Sequence, residues 1–228
     1  MTVHRLPKGT APASGYRLVA KGTDAAELYL YGAIGGDWFG DGITAKQVAD
    51  DLKALGKVKA IDVRINSEGG NVFDGKAIYS LLVENPAKIV VHIDGLAASA
   101  ASFIAMAGND IEIAEGAFVM VHDAYGVSFG RAEEMRAYAD LLDTVNGTIR
   151  DVYVARTKKS DAQVKTWMKD ETWFTAKEAV ANGFADKMTE NLRVAASVAD
   201  PSRYKHLPSA LMPRRAAAVA KLATLKLA

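Results

Sequence analysis

The sequence predicts an α/β fold with a mainly parallel sheet, and three observations carry the prediction. Runs with strand character alternate with runs of helical periodicity through the middle of the chain. Two turns rich in glycine and small residues, at 67–71 and 95–99, directly follow strand-like runs. Such turns sit at carboxyl ends of strands, where open α/β sheets bind ligands. Finally, the helical pattern of residues 131–157 has an apolar face longer than one small domain needs. It is expected to project from the body and pack on a neighbouring subunit.

The elements follow in order. Residues 1–15 hold Pro7, Pro12, Gly9 and Gly15 and read as a flexible N-terminal arm. Residues 27–34 (ELYLYGAI) alternate like a strand. The loop 35–42 is rich in glycine and carries Trp38 and Phe39. It lacks the GK[ST] ending of a phosphate loop, which argues against nucleotide binding. Thr44 and Gln47 are spaced as a capping box before AKQVADDLKAL, and Gly56 stops that helix. A second strand, 59–66 (KAIDVRIN), runs into Ser67-Glu68-Gly69-Gly70-Asn71.

A helix over 71–85 places Val72, Phe73, Ala77, Ile78, Leu81 and Leu82 on one face, and Pro86 ends it. The third strand is 88–94 (KIVVHID), followed by the turn 95–99 and a small-residue helix reaching Gly108. Short strands are expected at 111–114 and 117–122. Capping signals at Ser160/Gln163 and Thr175/Glu178 open two more helices, the second stopped by Gly183. The folded domain is therefore expected over 16–198. Beyond it, Pro201, Pro208 and Pro213 punctuate a linker that leads to a basic, Ala/Leu-rich tail, residues 199–228 in all.

Composition narrows the chemistry. Of 228 residues, half are hydrophobic and 24% charged, as in globular domains, and the formal net charge of +1 implies no nucleic-acid partner. The absence of cysteine excludes disulfides, thiol catalysis and Cys-based zinc sites. The four histidines form no HExxH or HxxxH pair, so neither a metal nor another cofactor is expected. No run of about 18 apolar residues suggests a membrane span, and residues 1–15 show no signal-peptide core. The expected location is cytoplasmic.

What remains is a serine pattern. Ser99 closes a small-residue turn, and His122 ends the next strand-like run, a base that could take its proton. The Gly69-Gly70 turn, one βα unit upstream, can aim backbone N–H groups at an oxyanion. Taken singly, each residue has a plainer reading: a helix-capping serine, a core histidine, a tight turn. Asp94 reads as a turn carboxylate, His92 as a buried structural histidine, Ser102 as a packing residue, and His4 and His206 as surface residues.

Together these motifs resemble the ClpP family of serine peptidases. Gly95-x-Ala97-Ala98-Ser99 looks like its nucleophile turn, and residues 65–70 (INSEGG) are similar to its INSPGG oxyanion turn. Met120-Val121-His122 resembles its MIH base motif. Phe174-Thr175-Ala176-Lys177-Glu178-Ala179 with Gly183 resembles its closing strand–helix segment. The similarity covers about 25–190, and the ETWFTA segment looks most like ClpP-like head maturation proteases of tailed phages.

The resemblance implies a spiral of βαβ units of the type shared with crotonases. It also implies Ser99 as nucleophile, His122 as base, and the N–H groups of Gly70 and Ala100 as oxyanion hole. Where the family has its triad aspartate, five residues before Ala176, stands Glu171, with Asp170 beside it as the alternative acid. Gly69, Tyr125, Gly126 and Val127 would bind extended substrate, with 125–131 a glycine-punctuated strand beside the site. A closed homo-oligomeric ring acting on protein or peptide is implied, with scaffold or capsid protein as substrate in the host cytoplasm or the prohead. No counterpart of the loop that docks an unfoldase is apparent, which argues against an ATPase partner. Two rivals stand beside this reading: a crotonase-like acyl-CoA enzyme, and a capsid-assembly protein that keeps the fold without turnover.

Overall fold

A computed structural model describes residues 15–36, 42–190, 198 and 200–212. The expected arm at 1–14, the aromatic tip of the glycine loop at 37–41 and the basic tail at 213–228 lie outside the described residues.

The body is an eight-stranded mixed sheet whose main path runs β1 (Gly15–Lys21), β2 (Ala25–Ile34), β3 (Ala60–Gly70), β4 (Lys88–Ala98), β5 (Asp110–Ala114) and β8 (Lys187–Thr189). The pairs β2–β3, β3–β4, β4–β5 and β5–β8 are parallel. The first of these crossovers passes through helix α1 (Ala45–Leu55), the next through α2 (Val72–Val83) and the third through α3 (Ala100–Ala105). Strands β6 (Phe118–Val121) and β7 (Thr172–Thr175) leave this path: β6 pairs in parallel with β4 and antiparallel with β7. Fully buried Leu28, Val63, Val91 and Ile113 line the sheet's core face against Val48, Ile78 and Phe103 of the helices.

Several boundaries differ from expectation. β1, which the sequence reading left unassigned, pairs antiparallel along all seven of its residues with β2. The two glycine turns are continuations of strands. β3 and β4 keep pairing past residues 66 and 94, through a register shift between Ile65 and Ser67. β4 exchanges β5, its partner up to Ile93, for β6 from Leu96 onward. Gly95 thus lies where a long strand bends between two partners, a usual place for glycine in a strand.

Thr44 accepts the Gln47 N–H, Ser160 the Gln163 N–H, and Thr175 and Glu178 form a reciprocal capping box. Helix α4 (Ala132–Thr157) buries only Ile149, Tyr153 and Thr157, all in its second half. Its first half is largely exposed, Met135 and Leu141 nearly half so, although Tyr138, Leu141 and Leu142 border the cleft. Helices α5 (Asp161–Lys169) and α6 (Ala176–Asn182) flank β7.

Two expectations near the chain's second half are corrected. The segment 125–131 forms no strand, because among the described residues no strand lies beside it to complete a ladder. The stretch read as a linker packs on the body where it is described. Val198 and Leu211 are buried in a small apolar cluster with Leu96, Ala98 and Met120, and Tyr204 and Leu207 pack around it.

Candidate active site

Three strands converge on one cleft. β4 ends at Ala98, and Ser99 follows with φ +54° and ψ −126°, a conformation that L-residues seldom adopt. Such strain is held by its surroundings: the Ser99 N–H donates to the Met120 carbonyl of β6 (3.0 Å), and its own carbonyl accepts from the Ser102 N–H and Oγ. Ser102 Oγ also meets the Tyr153 hydroxyl at 2.8 Å, fixing α3 beneath the turn. Ser102 is a packing residue, as its place in the sequence suggests.

β6 carries His122 at its end. Its Nε2 lies 2.8 Å from Ser99 Oγ, although 23 residues separate the two. The chain beyond the histidine is pinned by the Asp123 N–H on the Met168 carbonyl and the Ala124 N–H on Asn146 Oδ1 of α4. The imidazole is half-buried. Burial pushes its pKa below the ordinary 6.5, the charge of Glu171 opposes that, and Arg203 and Lys205 lower it further. Near neutral pH the ring is therefore uncharged and able to accept a proton.

Both candidate acids lie just before β7, whose Thr172 pairs with Val121 and Trp173 with Met120 of β6. Glu171 is buried at 7% exposure, with φ +50°. Its Oε1 accepts the His206 N–H at 2.9 Å and the Trp173 Nε1–H at 3.3 Å. Asp170 is exposed and caps α5. Asp94 belongs to a separate buried cluster, held by the Arg64 guanidinium and the Tyr31 hydroxyl. His92 sits between Asp62 and Glu112 on another part of the sheet. Asp94 is thus a buried ion-pair partner within β4 rather than a turn carboxylate, and His92, read as buried, is only partly so; neither borders the cleft.

The glycine pair at the end of β3 lies against the nucleophile. A Cβ on Gly69 would come within 2.8 Å of the Ala100 nitrogen and 2.5 Å of the Ala98 carbonyl oxygen. One on Gly70 would strike the Ile34 carbonyl oxygen at 2.1 Å. Both have positive φ, so only glycine brings this backbone so close. The Gly69 N–H is already engaged by Ser67 Oγ at 3.0 Å, which in turn donates to the Gly32 carbonyl. The Ala100 N–H heads α3, among the N–H groups a helix leaves without an internal acceptor.

A cavity of about 720 Å³ opens between these groups. Ser99, His122, Gly69 and Gly70 face it, with Phe103, Val145 and Ile149 forming an apolar side. Tyr125 borders it, its ring 5.6 Å from that of His122. Gly126 and Val127 do not line it: Gly126 lies against the Tyr138 hydroxyl, and Val127 is exposed. Arg203 and Tyr204, which sequence reasoning missed, do border the cavity. Arg203 donates to the Tyr125 hydroxyl (3.0 Å) and Tyr204 to Glu68 (3.4 Å). The apolar Tyr204, Leu207 and Leu211 among the prolines were the available signal. Among the described residues no group of acidic and histidine side chains could hold a metal, and no helix is long and apolar enough to cross a membrane.

Known proteins resemble this chain in sequence and in fold. The sequence profile of the Clp protease family matches residues 38–192. An ATP-dependent Clp protease proteolytic subunit 1 of Leifsonia xyli subsp. xyli is 30% identical over 162 residues, 68% of this chain and 82% of that protein. A proteolytic subunit 2 of Mycolicibacterium paratuberculosis is 29% identical over 137 residues, 59% of this chain and 69% of the relative. In fold, the chain resembles a point mutant of ClpP1 from Listeria monocytogenes, with a TM-score of 0.64 at 22% identity, covering 74% of this chain and 93% of that one. With its profile matched across most of the folded body, the chain belongs to the Clp protease family of serine-type endopeptidases.

Proposed function

We propose that the chain cleaves peptide bonds through Ser99, His122 and Glu171, and the observation that carries this is the 2.8 Å contact of His122 Nε2 with Ser99 Oγ beside a glycine-lined cleft. The neutral imidazole accepts the hydroxyl proton as Oγ attacks the scissile carbonyl, then returns it to the leaving amine. Glu171, just before β7, stabilises the imidazolium formed between these steps through its charge. The N–H groups of Gly70 and Ala100 stabilise the tetrahedral oxyanion, each such donor contributing about 3–4 kcal/mol. Substrate lies between the Gly69–Gly70 edge and Tyr125, with an apolar side chain in the pocket over Phe103 and Ile149.

As in the ring-forming family, the exposed half of α4 is the subunit contact of a homo-oligomer that takes protein substrates. A finer reading rests on the sequence of residues 171–176 (ETWFTA): processing of scaffold or capsid protein in a phage head, without ATP. An assay of the purified chain on an unstructured protein, with no nucleotide and no unfoldase, tests the activity. Cleavage of native scaffold at discrete sites supports the finer reading, and inertness toward scaffold beside cleavage of casein-like substrates removes it. Acyl-CoA binding without fluorophosphonate labelling at Ser99 would favour crotonase-type chemistry instead.

A further inference from the structure

The segment after the domain's expected end supplies the Glu171 carboxylate with a donor from outside its own strand. We infer that residues 200–212 are part of the active site, the His206 backbone N–H acting as a positioning group that fixes the Glu171 carboxylate for its action on His122. This rests on the reading of Glu171 as the triad acid.

The need for such a group follows from the residue type. A glutamate has one more rotatable bond than an aspartate, so its carboxylate is less fixed by its own backbone. Glu171 also sits in the left-handed region at φ +50°, where a non-glycine residue stays only if its surroundings hold it. Two donors converge on a single oxygen, Oε1: the His206 N–H at 2.9 Å and the Trp173 indole at 3.3 Å. Fixing one oxygen in this way restricts rotation of the whole carboxylate.

The segment is itself held firmly. Val198 and Leu211, each 1% exposed, pack on Leu96, Ala98 and Met120, close to Ser99 and His122 in the chain. The Val198 N–H donates to the Leu211 carbonyl, closing the segment into a loop. Tyr204 stacks edge-on against Trp173 with ring centres 5.4 Å apart, backing the second donor. A plug in the cleft is the opposite reading. Arg203 and Tyr204 stand in the wall of a cavity of about 720 Å³ that Ser99 still faces, so the segment borders the cleft without filling it.

The experiment compares full-length H206A, which keeps the backbone N–H, with H206P, which removes it, and with E171Q. Each is assayed on a fluorogenic peptide across pH, with thermal melting as the check on folding. The His206 side chain is exposed, so H206A reads what the side chain itself contributes and is the reference for the donor-less proteins. H206P should lose roughly 10- to 100-fold in kcat with KM little changed. Its acid limb in kcat/KM should move to lower pH, toward that of E171Q, because a displaced carboxylate no longer supports the imidazolium. If H206P fails to fold, an ester in place of the 205–206 amide, introduced as an α-hydroxy acid at 206, removes the same donor without fixing φ. Either donor-less protein matching H206A in kcat and pH limb, while E171Q is impaired, overturns the inference. So does a gain of activity, which would mark the segment as a plug. Full activity of E171Q would instead remove the acid assignment itself.

Discussion

Gly69 and Ala100 approach so closely that a single added methyl group would not fit: a Cβ on Gly69 would lie 2.8 Å from the Ala100 nitrogen. This contact joins the end of β3 to the start of α3 and brings two candidate oxyanion donors to one side of Ser99. Gly69→Ala should therefore damage stability and turnover together. Its φ of +88° costs about 1–2 kcal/mol for an L-residue, before the clash with the Ala98 carbonyl is counted. Melting temperature and peptide turnover measured on the same preparation check this; an active protein of normal stability would contradict the packing.

The two serines of the turn should separate cleanly. Ser99→Ala should abolish fluorophosphonate labelling and nearly all turnover, since triad members act as a unit. Ser102→Ala should keep the label on Ser99 but lose about 1–2 kcal/mol, because Tyr153 and the Ser99 carbonyl lose a partner in the protein interior. Mass spectrometry of the labelled peptide and denaturant titration read the two effects. Labelling at Ser102 would reverse the assignment.

The pH profile should reflect the burial of His122. Desolvation holds the imidazole below 6.5, against the attraction of Glu171 and with the repulsion of Arg203 and Lys205. A base works when neutral, so the acid limb of kcat/KM should have its midpoint below 6.5. Arg203→Ala should move that limb upward, since a repelling cation is gone. The same shift enters stability. Below 6.5 the unfolded chain takes up the proton before the folded chain does, so His122 contributes a loss of stability as pH falls through that window. A midpoint above 6.5 would show that Glu171 outweighs burial.

Helix α4 offers a test of assembly that leaves the chemistry alone. Met135 is 48% exposed and lies outside the cavity wall. Met135→Glu should lower the oligomeric state seen by sedimentation velocity, while a single chain loses little buried surface. An unchanged sedimentation coefficient would place the subunit contact elsewhere.

The serine, the histidine and the glycine pair were legible because each occupies a motif: a residue type at a fixed place after a strand. Helix α1 was legible to the residue because Thr44 and Gly56 mark its ends. The strand ends were not. The glycines that read as turns allow β3 and β4 to bulge and keep pairing, and pairing depends on which strand lies alongside. The expected strand at 125–131 failed for the same reason, having no neighbouring strand among the described residues. That Glu171 is buried and its neighbour Asp170 exposed was not legible either, because the chain's path into β7 turns adjacent residues in different directions.

The sequence alone determined the chemistry available: a chain without cysteine, with alternating strand and helix patterns, and with a hydroxyl, an imidazole and close-packing glycines at strand ends. These follow from side-chain type and local backbone preference, which neighbours in the chain can express. Only the tertiary structure decided that Glu171 is buried while Asp170 is exposed, and that residues 200–212 turn back to donate to Glu171. Contacts between β7 and a proline-rich segment some thirty residues later depend on the packing of Val198 and Leu211 under the nucleophile's strand. No local pattern encodes that closure, because its stabilisation comes from apolar surface that exists only once β4 and β6 have paired.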